Sequence, residues 1–301
     1  MTGPRALRTS RPDTAWSVGC ALACAVIGAL FGLPGPAAAQ SFDPVELNAD
    51  HEEYHSPQHF ALELKYGLYS PDIDATPGLT GRPFAELFNN QYGEDPGARP
   101  AGKSLFALEF DWQFWHPFGS FGLAASAGYS GRKSHSYEYL IKAEDPNRPV
   151  SCTAGLNGDC VRSSDTTTLN IFPLTLQLVY RFDVLAERWN IPLVPYVKAG
   201  LAYYVWFMQK GDGNFARGLD SGDQGDARGY GGVPGFVVHP GLALLLDVFD
   251  KRAAQTLDSE LGINHTYLFA EFSYVNISGL GFKDKLVLSD ATWNAGLAFE
   301  F

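Results

Sequence analysis

The sequence predicts an all-β chain: an eight-stranded antiparallel transmembrane β-barrel with short periplasmic turns and long extracellular loops. Three observations predict it. Eight segments alternate apolar and polar residues with the period of two that a strand imposes. The polar face of those segments holds the charges together with Gly and Ala, which suits the crowded interior of a narrow barrel. The connections alternate between shorter and longer, as periplasmic turns and extracellular loops do.

The first segment sets Phe60, Leu62, Leu64, Tyr66 and Leu68 against Ala61, Glu63, Lys65 and Gly67. The second sets Phe106, Leu108, Phe110, Trp112 and Phe114 against Ala107, Glu109, Asp111 and Gln113. A tight turn at Pro117-Phe-Gly-Ser120 leads into the third, with Phe121, Leu123, Ala125, Ala127 and Tyr129 on one face. The fourth sets Phe172, Leu174, Leu176, Leu178, Tyr180 and Phe182 against Thr175, Gln177, Arg181 and Asp183. The fifth sets Val197, Ala199, Leu201, Tyr203 and Val205 against Lys198, Gly200 and Ala202. The sixth is expected from about Gly235 to Asp247, with Leu242, Leu244 and Leu246 outward. The seventh sets Leu268, Ala270, Phe272 and Tyr274 against Glu271 and Ser273. The eighth closes the chain, with Trp293, Ala295, Leu297, Phe299 and Phe301 opposed by Thr292, Asn294, Gly296, Ala298 and Glu300.

Shorter connections of about 5 to 16 residues join pairs 2–3, 4–5 and 6–7, and longer ones of about 15 to 35 join the rest. With the first strand running outward, Tyr66, Tyr129, Phe172, Tyr203, Tyr274 and Trp293 fall near the outer rim. Phe60, Phe114, Phe121, Tyr180, Phe299 and Phe301 fall near the periplasmic rim, so the rings divide between the two membrane interfaces that amphipathic aromatics favour. Residues 250–262 carry Ala253, Leu257 and Leu261 on one helical face before a Gly262 stop, and a short helix is expected there, in the third periplasmic turn.

Both ends of the chain carry addresses. Arg5, Arg8 and Arg11 precede an apolar stretch from about Ala15 to Leu33 and the small residues Ala37-Ala-Ala. This has the form of a secretory signal peptide over 1–39, cut near Ala39 and exported through the Sec pathway. Cys20 and Cys24 lack the Leu three positions ahead that a lipoprotein site would carry. A short periplasmic tail over 40–57 and a barrel over 58–301 complete the expected organisation. The last strand resembles the C-terminal assembly signal of outer-membrane barrels, carried by Trp293, Leu297, Phe299 and Phe301. That implies a transient partnership with the barrel-assembly machinery.

The formal charge is -11, and the leader contributes three Arg against one Asp, so the remainder is more acidic still. An acidic chain with no basic stripe excludes nucleic acid as a partner. Cys152 and Cys160 lie eight apart in a Gly-, Asn- and Asp-rich stretch, and a loop disulfide is expected between them in an exported chain.

Several stretches resemble a family of outer-membrane β-barrel proteins of myxobacteria and their relatives, small barrels of the OmpA and OmpX kind. They are Ser56–Asp74, Val179-Tyr-Arg-Phe-Asp183, Ile191–Leu201, Gly262-Ile-Asn-His-Thr-Tyr-Leu-Phe269 and the Phe299-Glu-Phe301 end. The resemblance spans nearly all of the chain after the leader. It implies the barrel and an outer-membrane location, in contact with outer-membrane lipid and lipopolysaccharide. It implies no activity.

His51-Glu-Glu-Tyr-His55 matches the H-E-x-x-H zinc-protease pattern. Ser56-Pro57 follows at once, and Pro disfavours helix in the residue before it. The pattern therefore reads as a solvated tail that binds metal adventitiously. Glu63, Glu109, Asp111 and Glu271 with Lys65, Arg181 and Lys198 are expected to form a lumen charge network, since buried charges must be paired. Eight strands leave an interior just wide enough for side chains, so a filled lumen is preferred to a transport path. His135-Ser136 with Glu138 near the second long loop would be the place to look for a lipid-modifying enzyme, but neighbours in sequence do not make a triad. Asp72 and Asp74 in the first loop, and Asp212, Asp220, Asp223 and Asp226 in the third, are weak Ca²⁺ candidates without EF-hand spacing. No catalytic residue and no cofactor is expected. The expected role is envelope-structural or surface contact, with a narrow channel for small or apolar solutes and an outer-leaflet lipid enzyme as alternatives.

Overall fold

The computed structural model describes residues 59–79, 82–89, 99–116, 118–139, 160–189, 191–218, 227–282 and 285–301. Ten strands lie among them: β1 (Phe60–Tyr69), β2 (Lys103–Trp115), β3 (Ser120–Tyr139), β4 (Cys160–Arg181), β5 (Leu193–Lys210), β6 (Arg217–Gly218), β7 (Ala227–Arg228), β8 (Tyr230–Leu245), β9 (His265–Asn276) and β10 (Asp290–Glu300). Eight of them close a barrel in the order β1-β10-β9-β8-β5-β4-β3-β2, and β6 pairs only with β7 as a small hairpin in the loop between β5 and β8. All neighbours in the barrel are antiparallel. The seam between β1 and β10 sets Leu64 opposite Leu297 and Lys65 opposite Gly296. Closure leaves no unpaired edge.

The alternation in sequence becomes a division between outside and inside. Leu201 is 64% exposed and Trp293 68%, whereas Lys198, Glu109 and Glu271 are 0% exposed. This is the inverse of a water-soluble barrel. Rings band the outer surface at both ends. Tyr66 packs on Phe106 with centroids 5.1 Å apart, and Tyr129 on Phe172 at 5.1 Å, towards the end bearing the longer loops. Phe121 packs on Tyr180 at 4.8 Å, and Phe60 on Phe301 at 6.2 Å, towards the end where the chain enters and leaves the barrel.

The wall is uneven in height. β3 and β4 stay paired from Ser120 opposite Arg181 up to Tyr139 opposite Cys160, well beyond the ends of β1 and β10. The expected third strand stopped near Tyr129; the paired ribbon continues past it. The expected sixth strand began near Gly235, whereas β8 begins at Tyr230 and ends at Leu245.

Among the described residues, three α-helices decorate the connections: α1 (Pro83–Asn89), α2 (Val184–Trp189) and α3 (Lys251–Leu261). α3 is the expected helix. Asp250 caps it by accepting from the backbone N–H of Arg252 at 3.1 Å and Ala253 at 3.0 Å. Gly262 stops it at φ 69, the left-handed conformation that glycine adopts without a Cβ penalty. Housing α3 makes the connection 246–264 longer than the loop-end connection 277–289, so the expected alternation of lengths fails at that pair.

Candidate functional site

The inner face of the barrel is built in layers. Register places Glu63 of β1 directly opposite Glu109 of β2, two buried carboxylates side by side. The repulsion is met by cations from across the lumen. Lys198 of β5 puts its Nζ 2.5 Å from Glu63 and 2.5 Å from Glu109, and 4.0 Å from Glu271. Lys65, two residues along β1 on the same face, lies 2.9 Å from Glu109, 3.3 Å from Glu271 and 3.4 Å from Glu63. The Arg181 guanidinium spans three carboxylates: Glu63 at 2.6 Å, Glu300 at 2.7 Å and Asp111 at 3.1 Å. Fork geometry suits guanidinium to this bridging task better than a lysine ammonium.

The structure thus brings Glu63, Lys65, Glu109, Asp111, Arg181, Lys198 and Glu271 into one cluster. It adds members beyond the expected network. Glu300 accepts from Arg181, from Gln113 Nε2 at 2.9 Å and from the Tyr267 hydroxyl at 2.9 Å. Tyr196 donates to Glu271 at 3.2 Å, and Gln177 donates to Glu109 at 3.2 Å. Parity held the signal: Tyr196 is two residues from Lys198 and Tyr267 four from Glu271, so both had to face inward.

Apolar layers close the cluster from both ends, and here the expectation of a polar interior throughout needs correction. Towards the loop end, Tyr69, Leu169, Ile171, Tyr204, Val233, Val237 and Val275 pack together with Ile73 and Phe84 of the first loop and Ile277 and Leu288 of the last. Towards the terminal end, Val194, Tyr196, Ala243, Tyr267, Phe269 and Ala298 form a second layer. A cavity of about 10 Å³, room for about one water, lies between this layer and the Glu63–Arg181 pair. The inward face of a strand need not be polar when enough side chains meet to exclude water. That depends on which residues of eight strands share a level, which no single segment reveals.

The loop end is tied down by its own contacts. Arg132 of β3, buried, stacks its guanidinium over the rings of Phe84 at 5.4 Å and Phe88 at 5.6 Å, and donates to the Ala101 carbonyl at 2.6 Å. Arg99 pairs with Asp290 at 2.9 Å, and the Tyr69 hydroxyl donates to the Leu288 carbonyl at 2.6 Å.

Asp74 accepts from the backbone N–H of Phe84 at 2.8 Å and Ala85 at 2.9 Å, one bond to each carboxylate oxygen, and so anchors α1. Asp72 lies with it on a cleft of about 230 Å³ that Arg82 and Arg99 also line. Asp212 accepts from the backbone and side-chain amides of Asn214, and these bonds lower its carboxyl below the usual range. Asp220, Asp223 and Asp226 lie outside the described residues, as do Cys152, the side chain of Cys160, and the His51–His55 pattern. His135 and Ser136 sit inside β3 rather than in a loop, at a register shift against β4, and Ser136 shares a hydrogen bond of 2.7 Å with Thr167. The side chain of Glu138 is outside the described set. Among the described residues no three His, Cys, Asp or Glu side chains gather as a metal site would require.

No protein-family model matches the sequence, and no curated protein does. Solved structures with a similar arrangement exist. The attachment invasion locus protein Ail of Yersinia pestis, crystallised with the heparin analogue sucrose octasulfate, aligns over 81% of this chain and 97% of its own at 10% identity and a TM-score of 0.37. Neisserial surface protein A aligns over 82% and 98% at 10% identity and a TM-score of 0.39. The N-terminal β-barrel domain of Pseudomonas aeruginosa OprF aligns over 81% and 98% at 13% identity and a TM-score of 0.33. At these values the likeness carries no argument about role.

Proposed function

We propose that this protein is an integral outer-membrane barrel with a sealed lumen, serving the envelope as a structural or surface-contact element rather than as an enzyme or a pore. The leader with its small-residue end supports export, and the Trp293–Phe301 ending supports handling by the barrel-assembly machinery. The outward apolar belt suits acyl chains, and the longer loops would then meet lipopolysaccharide and the exterior. Membership of the myxobacterial barrel family belongs to the same proposal and rests on the stretches quoted above.

One observation carries the sealed lumen. Lys198, Glu109, Asp111 and Glu271 are out of solvent contact altogether, and a water-filled conduit past them would leave them wet. Planar-bilayer recording of the refolded protein tests it. The expected result is no steady conductance, in wild type and in Lys65→Met alike. A reproducible open level that responds to Lys65→Met would replace this reading with a channel. Lipid A from a deletion strain is expected to keep its profile; an altered profile would restore the lipid-enzyme alternative.

A further inference from the structure

Two imidazoles meet at the terminal end of the barrel. His59 stands immediately before β1, and His116 immediately after β2. The ladder between those strands extends to His59, because the Gln113 N–H donates to the His59 carbonyl at 2.7 Å. Their ring centroids are 6.4 Å apart with planes at 59°, and both residues are exposed. This contact involves neither the charge network nor the apolar layers.

Histidine nitrogen binds a metal ion at about 2.0–2.1 Å, which places a ring centroid roughly 3 Å from the ion. Two rings sharing one ion therefore have centroids at most roughly 6.5 Å apart when collinear with it, and roughly 5 Å apart at a tetrahedral angle. His59 and His116 stand 6.4 Å apart by ring centroid, so sharing a tetrahedral ion requires the two exposed rings to close by roughly 1 Å. The backbone of His59 is held by hydrogen bonds to Phe301 and Gln113, which lowers the ordering that binding must supply at that residue. The sequence concentrates the same donor nearby. His51 and His55 precede His59 by eight and four residues, so four of the chain's seven histidines are either in this pair or within eight residues of it.

We propose that His59 and His116 form a binding site for a divalent transition-metal ion at the periplasmic end of the barrel. Two neutral imidazoles select borderline ions such as Zn²⁺, Ni²⁺ or Cu²⁺ over the hard, oxygen-seeking Ca²⁺ and Mg²⁺. Two protein ligands leave coordination positions open to solvent. The proposal rests on the membrane reading only for its compartment. The pair itself lies at the terminal end of the β1–β2 ladder.

The test is calorimetric titration of the leaderless chain, refolded in detergent micelles, with Zn²⁺ and separately with Mg²⁺. Heat-modifiable mobility on gels confirms that each variant is folded. The expected result is Zn²⁺ binding without Mg²⁺ binding, weakened tenfold or more in His59→Ala and in His116→Ala. Unchanged Zn²⁺ affinity in the folded His59→Ala/His116→Ala double variant would overturn the proposal. So would loss of binding in His51→Ala/His55→Ala that leaves the double variant of the pair unaffected, since the tail alone would then hold the ion. Neither outcome touches the sealed-lumen reading, which bilayer recording tests independently.

Discussion

Replacing Lys198 with Met removes the cation wedged between two carboxylates while keeping its length and stem. Each of its contacts with Glu63 and Glu109, at 2.5 Å, has a gross Coulomb energy of about 7 kcal/mol at an effective dielectric of 20. Most of that gain offsets the cost of stripping water from the charges, so the gross figure is not the expected loss. What the substitution leaves behind is decisive. Glu63 and Glu109 face each other in register, both fully enclosed, with Lys65 and Arg181 as the remaining neutralising charges. Breaking a buried ion pair by deleting one partner costs about 3–5 kcal/mol. Lys198→Met is therefore expected to lose that amount, and Lys198→Met/Glu109→Gln is expected to recover most of it by removing the stranded charge. Equilibrium unfolding of the refolded barrel in urea, followed by tryptophan fluorescence and gel mobility, reads both. With a slope of about 1–3 kcal/mol per molar urea, the single variant should shift its midpoint by at least about 1 M. A single variant within about 1 kcal/mol of wild type would refute the argument that these charges are held by mutual pairing. A double variant no more stable than the single would refute the stranded-charge account.

Three further outcomes are expected. Leu201→Arg, in the middle of the outward belt, should cost about 2–4 kcal/mol in lipid vesicles; a neutral effect would mean that this face meets water. Gly296→Ala should destabilise the closing seam by about 1–3 kcal/mol, because the new Cβ would stand 1.9 Å from the Leu64 carbonyl oxygen and 2.7 Å from the Phe269 ring; an unchanged unfolding midpoint would show that the seam gives way freely. Burial raises the carboxyl of Asp183, in the turn after β4, above its ordinary 3.8. The folded state then holds this proton more tightly than the unfolded one, so its contribution to stability falls as pH rises from 3.8 through the folded value and is level above it. Comparing Asp183→Asn with wild type across that window should show the slope vanish, and a slope that persists would assign it to another group.

Local pattern alone determined the eight barrel strands, their inward and outward faces, the two aromatic bands and the capped helix at 251–261. The reason is geometric. A strand's faces follow from a period of two, and a helix stop from one glycine, so neither needs a distant partner. The charges that must meet were also legible, since parity put Glu63, Lys65, Arg181 and Lys198 on one side of their strands. Which carboxylate each cation answers was not. That is set by stagger around the cylinder, which brings Arg181 to Glu300 across 119 positions of sequence. Stagger also decided that the levels flanking the ion cluster would be dry, through Ile171, Tyr204 and Val275 at one end and Val194 and Phe269 at the other. Sequence spacing specified which way each side chain points; only closure of the sheet specified the height at which it meets the others.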